Sequence, residues 1–276
     1  EMVHATVNHP SVVIWSLGNE AGPGDNFKEC YRAIKDYDTS RPVQYERNND
    51  IVDMGSNQYP SIAWVQGAVK GTYKLKYPFH ISEYAHSMGN ACGNLIDYWN
   101  AIESTNFFMG GAIWDWVDQA LDKRDPTTGK TYWAYGGDFG ADNKPNDGMF
   151  CMNGILRPDF TPKAQYFEVK KVYQNVSVKA VDMKKGLVEI FNKNYFEPLR
   201  GYQIVWSLYK DGVCVLSNQS LEGAKNILGP RERQTYRLAY DFDQLDAQSE
   251  YYVTIQFLQG KDMPWAKKGY VQMDEQ

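Results

Sequence analysis

The first 150 residues alternate short apolar runs with stretches of helical pattern, and this alternation constrains the fold more than any other feature. Five strands are predicted. Four of them lie at residues 12–17, 42–46, 78–83 and 110–116, and the remaining one, the third along the chain, ends near residues 57–59. Three helices are predicted between them, at 25–37 with Asp25 as N-cap, at 61–69 behind a serine cap, and at about 93–103. Strands that alternate with helices over short connections predict a parallel sheet buried on both faces.

Polar or aromatic side chains gather where these strands end: Asn19, Glu20, Tyr59, Glu83 and Trp114. In a (β/α)8 barrel the carboxyl ends of the strands line the active-site face, so these groups are expected to converge on one cleft. An open doubly wound sheet would also alternate, but the sequence has no glycine-rich phosphate turn. The segment 128–131 ends like a phosphate-binding loop but lacks the leading glycine, so a plain turn is predicted there.

The pattern changes in the second half of the chain. Residues 137–157 are rich in Gly, Asp and Asn, and a loop of that length is usually functional. Alternating apolar runs then follow between turn signals, at 186–191, 202–209, 213–217, 234–240 and 251–258. The sequence therefore predicts two domains, a barrel-type α/β domain over 1–171 and a small antiparallel β-sandwich over 172–276.

Composition narrows the class of partner. A net charge of −5 and a pI near 5.5 argue against nucleic acid or an anionic membrane surface. No apolar run approaches the ~20 residues of a membrane span. The four cysteines are far apart and form no CxxC pair, which favours free thiols over zinc ligands. Aromatic residues make up 14% of the chain, enough to stack on sugar rings, although core filling explains any single ring equally well.

Two glutamates, Glu20 and Glu83, end separate strands of the predicted barrel. Retaining glycosidases use such a pair as acid/base and nucleophile, with the carboxyl groups about 5–5.5 Å apart. Taken alone, Glu20 is better explained as a surface residue that opens a loop. The pair nevertheless predicts a sugar-cleaving site.

The sequence around both glutamates contains distinctive motifs, in the order NHPSVVIWSLGNEAGPG, SRPVQYE, ISEYAHSMGN, GGAIWDWVDQ, YGGDFG and FCMNGI. Over roughly residues 1–170 these motifs resemble those of the β-galactosidases of glycoside hydrolase family 2. The resemblance implies that Glu20 is the acid/base, Glu83 the nucleophile and Asn19 the residue that holds the sugar 2-hydroxyl. It further implies sugar contacts from Tyr59, His86, Trp114 and Asn153, with Asp115 and Trp116 in support.

The same resemblance implies cations beside the sugar. Glu20 matches a ligand of Mg²⁺, whose other protein ligands would precede this chain. The backbone carbonyl of Phe150 and the side chain of Asn153 match a Na⁺ site, with Asp147 bracing the loop. Oxygen ligands of this kind suit hard cations.

The resemblance also implies that this chain is part of a longer enzyme. The five predicted strands correspond to about strands 4–8 of the barrel, and the later sandwich to the immunoglobulin-like domain that follows it. The expected partners are a β-galactoside and the rest of the enzyme chain, and homo-oligomerisation stays open, as does a bacterial cytoplasmic or periplasmic location. A β-glucuronidase, a β-mannosidase and a non-catalytic carbohydrate-binding module are the alternatives.

Overall fold

The computed structural model describes residues 1–141, 143–221 and 227–276. The chain divides into two compact units, residues 1–172 and 173–276. The first unit is mixed α/β and the second is built from antiparallel strands. No helix in the described ranges is long and apolar enough to cross a bilayer.

Five parallel strands form the framework of the first unit. They are β1 (Trp15–Ser16), β2 (Val43–Gln44), β3 (Gly55–Gln58), β4 (Phe79–Tyr84) and β5 (Phe108–Ile113). β1 pairs with β2, and β3, β4 and β5 form a separate sheet in that order. All five predicted strands are therefore present, but the first is shorter than the run 12–17 suggested. Its pairing stops where the two-residue β2 stops, and Val13 is exposed.

The described part of this unit contains five α-helices: α1 (Met2–Thr6), α2 (Asp25–Tyr37), α3 (Ile62–Val69), α4 (Leu95–Glu103) and α5 (Ala164–Val172). The predicted serine cap is confirmed, because the Ser61 hydroxyl accepts the Trp64 N–H at 3.2 Å. The predicted Asp25 cap is wrong. Gly24 occupies the cap position, and the Asp25 carboxylate instead binds Lys28 at 2.8 Å within the first turn.

The main core of the first unit lies between the three-stranded sheet and helices α3, α4 and α5. Phe79, Ile81 and Tyr84 of β4 are almost fully buried. They pack against apolar side chains from the helices, among them Val65, Leu95, Ile102, Val169 and Val172. Burial against helices on this face is what a parallel sheet requires. It fixes the central strand β4, whose carboxyl end carries Glu83.

A hairpin and a long loop follow β5. The hairpin pairs β6 (Leu121–Arg124) with β7 (Thr131–Ala134). Asp125 accepts the N–H groups of Thr127 and Thr128, and Gly129 supplies a φ of 72°. The plain turn predicted at 128–131 is thus confirmed. Residues 139–141 and 143–157, which follow a short 3₁₀ turn at Gly136–Asp138, contain no named helix or strand.

The second unit has nine strands in its described part: β8 (Val176–Asp182), β9 (Leu187–Asn192), β10 (Leu199–Arg200), β11 (Tyr202–Lys210), β12 (Val213–Ser220), β13 (Ile227–Leu228), β14 (Arg233–Arg237), β15 (Tyr251–Gln259) and β16 (Val271–Glu275). They form sheets β14-β9-β8 and β12-β11-β15-β16 and the pair β10-β13. Both larger sheets contribute to one core, including Ile190 from one sheet and Trp206 and Phe257 from the other. All five predicted runs contain strands; β8, β10, β13 and β16 were not predicted.

A buried carboxylate anchors β1 to the loop that precedes β2. The Asp38 side chain accepts the Trp15 indole N–H at 2.9 Å, the Ser40 N–H at 2.8 Å and the Arg41 guanidinium at 2.8 Å. Arg41 also lies over the Trp15 ring and donates to the Val7 carbonyl. The donors from Ser40 and Trp15 hold the pKa of the Asp38 carboxyl well below its usual range.

We expect Asp38→Asn to lower the melting temperature, because it removes a charged acceptor that four donor groups share. A lowered folded-state pKa gives stability that is present above the unfolded-state pKa of about 3.9 and is lost as pH falls through the folded-state value. Thermal unfolding of both proteins from pH 7 downward should therefore show a gap that narrows below about pH 4. Asp36→Asn, on the exposed face of α2, is the control. An equal gap at every pH would contradict the assignment.

Candidate active site

The carboxyl ends of the parallel strands carry the predicted site residues and are tied together by backbone hydrogen bonds. The Tyr59 N–H donates to the Glu83 carbonyl at 2.7 Å, which joins the end of β3 to β4. The Ser87 N–H donates to the Trp114 carbonyl at 2.7 Å, which joins the segment after β4 to the end of β5. Parallel pairing therefore puts Tyr59, Glu83 and Trp114 along one edge of the sheet.

The two glutamates both act on one phenol. The Glu83 carboxylate lies beside the Tyr59 hydroxyl, and the pKa of Tyr59 is raised far above its usual value. The causes are first burial, then hydrogen bonding to Glu83 and the negative charges of Glu83, Glu20 and Asp115. Hydrogen bonds join the two strand ends, because Gln58 donates to the Asn19 side chain at 3.4 Å and the N–H of the next residue, Tyr59, donates to the Glu83 carbonyl. The structure thus brings together the two carboxylates that the sequence pairs.

Three non-glycine residues near the strand ends adopt left-handed backbone conformations. Glu20, Tyr59 and Ala85 have φ values of 52°, 49° and 49°. Each such residue costs on the order of 1–3 kcal/mol and persists only where the surrounding structure holds it, and such residues cluster at functional sites. Hydrogen bonds hold two of them here, from the Glu20 N–H to the Glu46 carboxylate at 2.9 Å and from the Tyr59 N–H to β4.

Aromatic rings line the region beside Glu83. The His86 ring lies 5.9 Å from the Tyr59 ring and 5.8 Å from the Phe150 ring, measured between centroids. Trp114 directly follows β5 and leaves 37% of its surface exposed, so part of its surface is available to an apolar sugar face. His86, Tyr59 and Trp114, each predicted from the sequence, therefore lie on neighbouring strand ends.

Two buried oxygens in the loop after β5 have no hydrogen-bond partner in the described part of the chain. Asn153 is 2% exposed and its Oδ1 is unpaired, as is Oδ1 of Asp115. The Asp115 N–H donates to the Asn153 carbonyl at 2.9 Å, so the two residues are adjacent. Burial raises the pKa of the Asp115 carboxyl. Unpaired buried acceptors are costly, and their chemistry suits a cation or a sugar hydroxyl as the missing partner.

The loop that carries Asn153 is fixed to the core by an ion pair. Lys163 lies 3.0 Å from the Asp118 carboxylate, which also accepts the Gly154 N–H at 2.8 Å. Gly154 has no room for a side chain, because an added Cβ would lie 2.1 Å from the Asp118 backbone nitrogen. Phe150 donates its N–H to the Asp147 carbonyl at 3.1 Å in the turn before Asn153. Phe150 and Asn153 thus belong to a single anchored loop.

The sequence reasoning missed a polar group beside Asn19 and Glu20. Gln58 donates to the Asn19 side chain at 3.4 Å and accepts from Arg47 at 2.9 Å. Arg47 Nη2 lies 3.9 Å from Glu20 Oε1. These residues also follow or end strands, so the rule that selected Glu20 and Glu83 could have found them. They were overlooked because none is a typical proton donor or nucleophile.

The described residues contain no group of three or more His, Cys, Asp and Glu side chains placed to hold a metal ion. The Glu20 side chain is 49% exposed, which leaves its carboxylate accessible to a further ligand. Asn153 Oδ1 supplies an unpaired oxygen for a hard cation. The residues present therefore fit the cation roles expected of them as single ligands.

Comparison with known proteins identifies the family. Residues 1–178 match the family described as glycosyl hydrolases family 2, TIM barrel domain, and residues 188–276 match the description beta-galactosidase, domain 4. The chain belongs to glycoside hydrolase family 2, which confirms the resemblance seen in its sequence motifs.

Curated relatives match almost the whole chain. A β-galactosidase of Priestia megaterium is 40% identical over 267 residues, which cover 95% of this chain and 25% of that protein. A β-galactosidase of Photobacterium profundum is 36% identical and covers 100% of this chain and 28% of that protein. The chain therefore spans about a quarter of the length of these relatives. A crystal structure of a β-glycosidase from Bacteroides vulgatus aligns with a TM-score of 0.44 at 14% identity, over 99% of this chain and 37% of that one.

The contact between Tyr59 and Glu83 can be tested by titration. In Glu83→Gln, the negative charge beside the phenol is lost, so the pKa of Tyr59 should fall. Ring-labelled tyrosine followed by NMR, with the Tyr59 signal assigned from Tyr59→Phe, measures this change. The signal of Tyr98, whose pKa is raised by burial alone, is the internal control and should not move. An unchanged Tyr59 titration would show that the two groups are not in contact.

Proposed function

We propose that this chain carries the catalytic residues of a β-galactosidase, which hydrolyses terminal non-reducing β-D-galactose with retention of configuration. The observation that carries the proposal is that hydrogen bonds join the strand ends bearing the two carboxylates, from Gln58 to Asn19 beside Glu20 and from the Tyr59 N–H to the Glu83 carbonyl. Two carboxylates around one pocket are the minimum that retaining glycosidases need. The relatives named β-galactosidase support galactose as the sugar.

In the proposed reaction, Glu83 attacks the anomeric carbon as Glu20 gives its proton to the departing glycosidic oxygen. A covalent glycosyl-enzyme forms, and Glu20 then takes a proton from the water that displaces Glu83. The Tyr59 hydroxyl would donate a hydrogen bond to the nucleophile, which orients one carboxylate oxygen and leaves the other for attack.

The proposed sugar contacts lie around this pair. Asn19 binds the 2-hydroxyl, a contact that strengthens as positive charge develops on the ring. His86 hydrogen-bonds to a hydroxyl, and Trp114 is the stacking platform. Asn153 offers the unpaired Oδ1 to the sugar or to a cation that the sugar also touches.

Two cations complete the proposal. Glu20 would contribute one ligand to Mg²⁺, and the Phe150 carbonyl and Asn153 Oδ1 would contribute two to Na⁺. When bound, such ions neutralise carboxylate charge and orient sugar oxygens. Asn153 is held in position by the loop that Asp118 and Lys163 anchor.

The proposal also assigns the domains. Residues 1–171 would be the later part of a TIM barrel, with β1 to β5 as about strands 4–8, and residues 172–276 an immunoglobulin-like sandwich. A barrel closes with eight strands, and the parallel strands described here form two separate sheets. The remaining strands would be supplied by the rest of the enzyme chain, and a closed pocket depends on them.

Both catalytic assignments can be tested in the whole protein that carries this chain. Glu83→Gln and Glu20→Gln should each lower kcat on a chromogenic β-galactoside, by about 10²-fold or more. A fluorinated galactoside that traps the intermediate should label the peptide containing Glu83. Glu29→Gln, on the exposed side of α2, is the control. Parallel assays on a β-glucuronide and a β-mannoside test the sugar, and label on a different residue would refute the nucleophile assignment.

The isolated chain should show little or no turnover of the same galactoside. Its parallel strands do not close a barrel, so the pocket lacks walls that position the sugar and exclude water. Side-by-side assays of residues 1–276 and of the whole protein, at equal molar concentration, measure this difference. Comparable turnover would show that the described strands suffice for the pocket.

A further inference from the structure

The loop after β2 places a carboxylate and a guanidinium directly beside Glu20. The Glu46 side chain is 2% exposed, and its Oε1 accepts the Glu20 backbone N–H at 2.9 Å. Arg47 lies between the carboxylates, with Nε 3.7 Å from Glu46 and Nη2 3.9 Å from Glu20. Nη2 of Arg47 also donates to Gln58, which in turn donates to Asn19. The network therefore contacts two consecutive residues of the proposed site.

Glu20 needs such support because its own strand holds it weakly. β1 is two residues long, and Glu20 lies four residues beyond its end with a left-handed φ of 52°. Its side chain is half exposed, so packing does not fix its rotamer. A carboxylate that must protonate one oxygen and later deprotonate one water has to be held within a fraction of an ångström.

We propose that Glu46 and Arg47 are positioning residues for the acid/base, a role that rests on the function proposed above. Glu46 fixes the backbone of Glu20 by accepting its N–H. Arg47 fixes the direction of the Glu20 carboxylate and, through Gln58, that of the Asn19 amide. Arginine suits this task because its planar fork reaches several acceptors at once, whereas the ammonium of lysine is a single point of charge.

A positioning role for Glu46 and Arg47 predicts that their loss impairs proton transfer from Glu20 selectively. In the first step, the proton moves from the Glu20 carboxyl to the glycosidic oxygen as the bond from the anomeric carbon to that oxygen breaks and the Glu83 oxygen bonds to the carbon. A poor leaving group, such as an alkoxide, needs that proton, whereas dinitrophenolate leaves without it. Loss of positioning should therefore slow the cleavage of alkyl galactosides while it spares dinitrophenyl galactoside. A merely structural defect would slow both.

Arg47→Ala in the whole protein that carries this chain is the decisive variant. We expect kcat/KM, which reports the first step, to fall about tenfold or more for methyl β-galactoside and to stay within about threefold for dinitrophenyl β-galactoside. Azide, which attacks without a general base, should raise kcat of the variant on the dinitrophenyl substrate and yield galactosyl azide. Arg47→Lys should recover part of the loss, and Glu46→Gln should show the same selectivity.

Controls separate this inference from the proposed function. Arg32→Ala removes a surface arginine of α2 that pairs with Glu29, and it should match the wild type on both substrates. An equal loss on both substrates in Arg47→Ala, with no response to azide, would overturn the positioning role. A wild-type protein that cleaves neither galactoside would instead refute the proposed function. Circular dichroism and melting temperature show whether Arg47→Ala is folded, and Arg47→Lys provides a second reading if it is not.

Discussion

Parallel pairing of β3, β4 and β5 is the constraint on which the candidate site depends. It aligns the carboxyl ends of three strands, so that Tyr59, Glu83 and Trp114 emerge at neighbouring positions. The sheet is held by a core that buries one face of β4 against three helices. Because interiors of this kind are close-packed, small movements of the strand ends are resisted. The nucleophile candidate therefore lies on a strand that is packed against this core.

The acid/base candidate has a different kind of support. Glu20 follows a two-residue strand and lies half exposed in a loop, and polar contacts from the β2 loop take the place of packing. This difference in support between Glu83 and Glu20 suits a two-step reaction. Glu83 must stay in line with one carbon, whereas Glu20 must act on a leaving group and then on a water. Contacts from Glu46 and Arg47 restrict Glu20 without burying it.

The loop after β5 illustrates how stability and function compete. Asn153 and Asp115 each bury an oxygen without a partner in the described part of the chain, which costs stability. The ion pair of Asp118 with Lys163 and the close approach at Gly154 hold the loop in place nevertheless. A segment that is both strained in this way and firmly anchored is typical of a binding site, where a ligand completes the hydrogen bonding.

The sequence by itself determined the alternation of strands and helices, the serine cap of α3, the hairpin turn at 128–131 and the family. These features follow from local periodicity and from distinctive sequence motifs. It also identified Glu20 and Glu83 as a pair. Only the tertiary structure decided that Tyr59 binds the Glu83 backbone, that β1 pairs over two residues, and that Arg47 bridges the loop to Glu20. Those facts depend on side chains from separate strands meeting in space, and no pattern along one segment encodes a contact between two.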